Sequence, residues 1–253
     1  MMRRAVLFVM LLLLSSAVVA TIVGCCKSSS SEKKSVQAQE REYDTAIANF
    51  TEALRLDPKS VEAYYGRGMT WACKGDHSRA IADFNEALQL DPKLAKAYYG
   101  RGVAWGCTGD NGRAIADFNE AIRLDPQLAE AYGDRGRGYY QTGDLDNAIA
   151  DFTEMLRLKP RDAFAYYSRG LAWGKKREYD KAIADFTEAV RLNPQHAKAY
   201  QNRGVAYFYM DKQDRAIADF NEALRLDPKL SEAYFYRDLA NKKKRRPATD
   251  GRM

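Results

Sequence analysis

Six prolines, Pro58, Pro92, Pro126, Pro160, Pro194 and Pro228, stand 34 residues apart along the chain, and the residues around each recur with it. A fixed period in this range constrains a fold more than any composition can. Each period is too short to bury its own apolar surface, so successive periods must stack on one another to share a core.

Inside a period the apolar residues fall into two stripes at helical spacing. In residues 61–94 the first stripe is Ala63, Tyr64, Gly68 and Trp71, and the second is Ala80, Ile81, Phe84, Ala87 and Leu88. Gly75-Asp76, Gly109-Asp110 and Gly143-Asp144 lie between the stripes and supply a turn followed by a helix cap. The Asp-Pro pairs end the second helix, because a residue before proline is pushed out of the helical region, and they can open the next helix. Gly68 and Ala80 are small where paired helices approach, and the aromatic rings of Tyr64, Trp71 and Phe84 fill the space around that contact.

Tyr64, Gly68, Trp71, Ala80, Phe84, Ala87 and Pro92 occupy positions 4, 8, 11, 20, 24, 27 and 32 of a 34-residue unit. The set recurs at Tyr98, Gly102, Trp105, Ala114, Phe118, Ala121 and Pro126. In these residues the chain resembles the tetratricopeptide-repeat family. The resemblance implies an all-α helix-turn-helix solenoid, a right-handed superhelix, with full repeats at 61–94, 95–128, 129–162, 163–196 and 197–230. Residues 41–60 carry only a second-helix pattern (Ala46, Phe50, Ala53, Pro58) and read as a half repeat. Residues 231–246 carry only a first-helix pattern and read as a capping helix, with 247–253 as a disordered tail.

The N-terminus reads as an address. Arg3 and Arg4 precede Ala5 to Val23, a stretch without a charge, and a polar stretch follows. The stretch closes on Ile22-Val23-Gly24-Cys25, which resembles a bacterial lipobox, so residues 1–24 are expected to be a signal peptide, Cys25 the lipidated residue and 25–40 a tether. An uncleaved transmembrane anchor and an ordinary cleaved signal are the alternatives. All three place the repeats outside the cytoplasm, in the cell envelope.

The net charge of +6 is an end effect. Residues 1–35 carry +4 and residues 240–253 carry +5, which leaves −3 for the body between them. A mildly acidic body with basic ends argues against a nucleic-acid groove. Cys73 and Cys107 are one period apart, so they are equivalent positions and not a disulfide framework. The sequence holds no Gly-rich phosphate loop, CxxC pair or HExxH, and the GxG pairs at Gly66/Gly68 and Gly100/Gly102 lie inside helical pattern. His77 and His196 fall at turn or helix-start positions and are expected on the solvated surface. No enzyme activity, cofactor or metal is expected.

Asp83, Asp117, Asp151, Asp185 and Asp219 also recur, mostly with a basic residue four positions earlier (Arg79, Arg113, Lys181, Arg215), which suggests ordinary pairs on a helix surface, as do Glu120 with Arg123 and Glu222 with Arg225. Position 7 departs from the family pattern: Arg67, Arg101, Arg135, Arg169, Arg203 and Arg237 replace an aliphatic residue, and are expected to pair with an acid of a neighbouring helix in preference to a ligand.

In the family, positions 2, 5, 6, 9, 12 and 13 of the first helices line a concave, partner-binding face. Carried over, they give Tyr65, Met69 and Cys73; Lys96, Tyr99, Val103 and Cys107; Arg137, Tyr140 and Gln141; Phe164, Tyr167, Leu171 and Lys175; and Lys198, Gln201, Asn202, Val205, Phe208 and Tyr209. The lysine and asparagine that clamp a terminal carboxylate in some family members are absent. The resemblance therefore implies a protein or peptide partner with an apolar segment anchored by aromatic side chains, and membrane contact through the N-terminal lipid or anchor. No nucleic-acid partner is expected.

Overall fold

The computed structural model describes residues 33–245, and within them twelve α-helices and no strand. They are α1 (Lys33–Leu56), α2 (Val61–Lys74), α3 (His77–Leu90), α4 (Ala95–Cys107), α5 (Asn111–Leu124), α6 (Ala129–Thr142), α7 (Leu145–Leu158), α8 (Ala163–Lys175), α9 (Tyr179–Leu192), α10 (Ala197–Tyr209), α11 (Gln213–Leu226) and α12 (Ser231–Arg245). The chain divides into two compact units, one ending at Asp125 with α1–α5 and one beginning at Pro126 with α6–α12.

Local chemistry sets the helix boundaries. Gly75, Gly109 and Gly143 sit at φ of 85–89°, the left-handed region that only glycine enters without cost. The aspartate that follows then caps the next helix: Asp76 accepts from the Arg79 amide and Asp110 from the Arg113 amide, each at 3.0 Å. At the other junction the helix stops at Leu90, and Asp91 accepts from the Lys93 amide at 2.9 Å. The Asp-Pro pair thus forms a turn, and the next helix starts three residues after Pro92, at Ala95, instead of at the proline.

Within the first unit the second-helix residue Phe84 lies between two first helices. Phe84 is fully buried; a Cβ on Gly68 would come 3.0 Å from its ring and one on Gly100 2.7 Å. Glycine at both places lets the helices close on the ring, and truncating such a residue costs roughly 3–5 kcal/mol. The long helix α1 takes the second-helix role at its end: Ala46, Ala53 and Leu54 are buried, and the Phe50 ring lies beneath Gly66. The second unit repeats the arrangement, with Gly170 against Phe186 and Gly204 against Phe220.

Five of the six recurring arginines pair with acids of a neighbouring helix; Arg237, on the last helix, donates instead to the Asn221 amide oxygen at 3.1 Å. Arg67, Arg101, Arg135, Arg169 and Arg203 each donate Nε and Nη2 to both oxygens of Asp83, Asp117, Asp151, Asp185 and Asp219 at 2.6–2.8 Å. Here the expectation for the aspartates needs correcting: they are buried, 5–7% exposed, and do not pair with the base four positions earlier. Arg79 and Arg113 instead pair with the capping Asp76 and Asp110, at 3.3 and 3.0 Å, and lie over Trp71 and Trp105. The aspartate is on the inward side of its helix, where only a side chain from the facing helix reaches it. The third donor of the guanidinium reaches back to the preceding second helix, as in Arg67 to Thr51 at 3.2 Å, Arg101 to Asn85 at 2.7 Å and Arg203 to Thr187 at 3.2 Å. One guanidinium therefore ties three helices, and the pairing raises the pKa of Arg67, Arg101, Arg135 and Arg169 above the ordinary arginine value. The expected exposed pairs Glu120 with Arg123 and Glu222 with Arg225 form at 2.8 and 2.7 Å.

A candidate protein-binding groove

The side chains carried over to the concave positions fall into two groups. Those at position 5 are tied into the core. Tyr65 packs against Phe84 at 6.0 Å, Tyr99 against Phe118 at 5.9 Å and Tyr167 against Phe186 at 5.9 Å. Burial pushes the Tyr65 and Tyr167 phenols above their ordinary pKa. Tyr167 also accepts a hydrogen bond from Asn202 Nδ2 at 3.0 Å and lies 4.5 Å from the His196 ring. Met69 and Val103 are half-buried, and Met69 packs on the core around Phe84. Lys96, Arg137 and Lys198 are exposed, and Arg137 pairs with Asp134 at 2.8 Å.

Six of the carried-over residues come together in the second unit. Tyr140, Leu171, Lys175, Asn202, Val205 and Tyr209 line a concavity of about 450 Å³ between α6, α8 and α10. Lys175 Nζ lies 5.0 Å from the centre of the Tyr140 ring. Tyr209 is 53% exposed and stacks on Tyr179 at 5.2 Å with the rings 7° from parallel. Phe208 turns away from this concavity, toward Tyr236 and Lys243, at 5.6 and 5.4 Å. Tyr209 and Tyr236 share a hydroxyl contact at 3.3 Å, which with burial pushes the Tyr236 phenol up to about 12. Cys25 lies outside the described residues.

Of the lining residues that the carried-over positions leave out, Arg177 and Tyr179 do not belong to a first helix and are not at a core position of the repeat. Arg177 is in the turn and Tyr179 opens a second helix, so a reading confined to first helices passes over both. The signal was Arg177 itself, which stands where three earlier repeats have the glycine of the turn. The histidines also differ from the expected solvated surface. His77 is half-buried with Nδ1 enclosed and without a hydrogen-bond partner among the described residues, and His196 is half-buried on Tyr167.

Helix pairs in tandem, packed on one another through buried phenylalanines within each unit, define a repeat scaffold for protein interaction. The pattern of the tetratricopeptide repeat matches residues 35–95, 74–129, 107–163, 163–196 and 197–230, and the chain belongs to the tetratricopeptide-repeat family. Among solved structures it is similar to YrrB, described as a TPR protein with an unusual peptide-binding site, at 23% identity over 75% of this chain and 97% of that one, with a TM-score of 0.67. It is similar to MamA at 29% identity over 64% of this chain and 95% of that one, with a TM-score of 0.61. A chain of the APC/C Cut9–Hcn1 hetero-tetramer matches at 21% identity over 79% of this chain and 40% of that one, with a TM-score of 0.64. No curated protein matches the chain.

Proposed function

We propose that this protein is a non-enzymatic scaffold that holds a segment of another protein against its first helices, tethered to a membrane of the bacterial cell envelope through a lipid on Cys25. The observation that carries the binding reading is the concavity between α6, α8 and α10, where Tyr209 stays 53% exposed over Tyr179 beside half-buried Leu171 and Val205. A large aromatic ring held in place by stacking and left open to water has little conformational freedom to lose on binding, which makes it an efficient anchor. The tether rests on Ile22-Val23-Gly24-Cys25 closing an uncharged stretch behind Arg3 and Arg4. An adaptor held by an uncleaved transmembrane anchor is the second reading, favoured by the length of that same stretch.

The test is capture from envelope extract by immobilised parent protein and by a Tyr140→Ala/Tyr209→Ala variant, with helicity checked by circular dichroism. Hot-spot aromatics carry roughly 2 kcal/mol each, so the folded variant should lose most of the captured partner. Equal recovery by both proteins would remove the binding site from this face.

A further inference from the structure

The repeats are close copies of one another, so the places where one departs from the rest are informative. In the second unit the end of α8 and the turn after it depart in two ways at once. Position 13 holds Lys175 where the first unit has Cys73 and Cys107, and position 15 holds Arg177 where Gly75, Gly109 and Gly143 make the turn. Arg177 keeps the glycine conformation, with φ of 63°. Side chains rarely adopt that region, and strained residues of this kind gather at functional sites. The next repeat has one too, Asp211 at φ of 59°, but aspartate enters this region far more readily than arginine, and Asp211 pairs with Lys243 at 2.8 Å. Arg177 forms no ion pair among the described residues, nor does Lys175, whose ammonium group rests over Tyr140.

Both cations line the 450 Å³ concavity, and no Asp or Glu lines it with them. The nearest acids in sequence are engaged elsewhere, Glu178 with Lys181 at 3.5 Å and Asp180 with Lys212 at 3.9 Å. We propose that this concavity takes an acidic peptide segment, with carboxylates held by Lys175 and Arg177 and the intervening apolar side chains seated among Leu171, Val205, Tyr179 and Tyr209. The inference rests on the groove reading above and names the chemistry of its occupant. Two cations over an apolar aromatic floor suit carboxylates spaced along a peptide. A nucleic acid or a charged membrane surface would call for an extended row of cations, and the body of the chain carries a net −3. The charge of the pair also steers an acidic ligand inward, with an on-rate that falls as salt rises.

Fluorescence anisotropy with a dye-labelled peptide of alternating glutamate and leucine, and with its glutamine counterpart, tests the proposal. The parent should bind the glutamate peptide at least about tenfold more tightly than the glutamine peptide, and added salt should weaken the former alone. Lys175→Gln/Arg177→Gly should erase the difference, while Lys93→Gln, at an exposed turn of the first unit, should leave it intact. Arg177→Gly also restores the residue the conformation prefers, so this variant should melt no lower than Lys175→Gln alone, and its loss of binding cannot then be put down to misfolding. Equal affinity for the two peptides, an unchanged preference in the double variant, or tighter binding of single-stranded DNA or of anionic phospholipid vesicles would overturn the proposal. If Tyr140→Ala/Tyr209→Ala loses its captured partner and Lys175→Gln/Arg177→Gly retains it, the groove reading stands and the acidic-peptide inference falls.

Discussion

A Cβ placed on Gly133 would fall 2.5 Å from the sulfur of Met155. Both residues are exceptions to the repeat: Tyr65, Tyr99 and Tyr167 stand at the equivalent of Gly133, and Ala87, Ala121 and Ala189 at the equivalent of Met155. The third repeat has exchanged a tyrosine from its first helix for a methionine from its second, and the flexible thioether fills the space left open. Gly133→Tyr alone should destabilise by about 1–3 kcal/mol through overpacking and Met155→Ala alone by about 2–5 kcal/mol through a cavity. The double variant should cost less than the sum, measured by urea unfolding as a double-mutant cycle. Additive costs would show that the two sites do not share a volume.

The arginine–aspartate pairs should behave as buried charges. Asp151→Ala leaves the Arg135 guanidinium, 18% exposed, without its carboxylate, and should cost about 3–5 kcal/mol. Replacing both partners of an equivalent pair with apolar residues, Arg101→Met with Asp117→Leu, should be far milder, because no charge is stranded. Thermal melts of the single and double variants separate the two cases.

Alkaline pH should loosen the C-terminal end of the second unit. The Tyr236 phenol titrates at about 12 in the fold against an ordinary 10.0, so between those values the unfolded chain gives up its proton while the folded one keeps it. The unfolded state then binds fewer protons, and stability falls as pH rises through this window, having been fully present below it. Tyr236→Phe should show a shallower loss of stability from pH about 10 to about 12 than the parent. Identical pH profiles for the two proteins would exclude the Tyr209–Tyr236 contact as the cause.

The tether is tested separately from the groove. Cys25→Ser should leave a precursor that takes up no labelled fatty acid and migrates more slowly than the processed parent. Unchanged labelling and migration would exclude Cys25 as the acceptor.

The helices and their turns were legible because their determinants are local: a glycine at positive φ, an aspartate cap, a proline that ends a helix. The partner of Asp83 was not, because helical spacing offers Arg79 four residues away, while the true partner, Arg67, lies across the interface on another helix. The third repeat held the clue, since Asn147 stands four residues before Asp151 and the aspartate persists without a basic neighbour there. The concavity of the second unit was legible only along the first helices. Arg177 and Tyr179 enter it from the turn and from the second helix, which a transfer of first-helix positions does not reach.

An array of interchangeable plates needs an edge, and Asp238 supplies one. It stands on α12 at the place where Gly68, Gly102, Gly136, Gly170 and Gly204 admit the phenylalanine of a following helix, and it is exposed. Any helix of that kind arriving on α12, from whatever source, would have to press its ring onto a carboxylate and strip it of water, a cost no aromatic contact repays. Beside it Tyr234 and Phe235 are 43% and 60% exposed. On α12 one methylene and one charge thus stand where every full repeat has a glycine, and they oppose a further helix of this kind independently of how many repeats precede them.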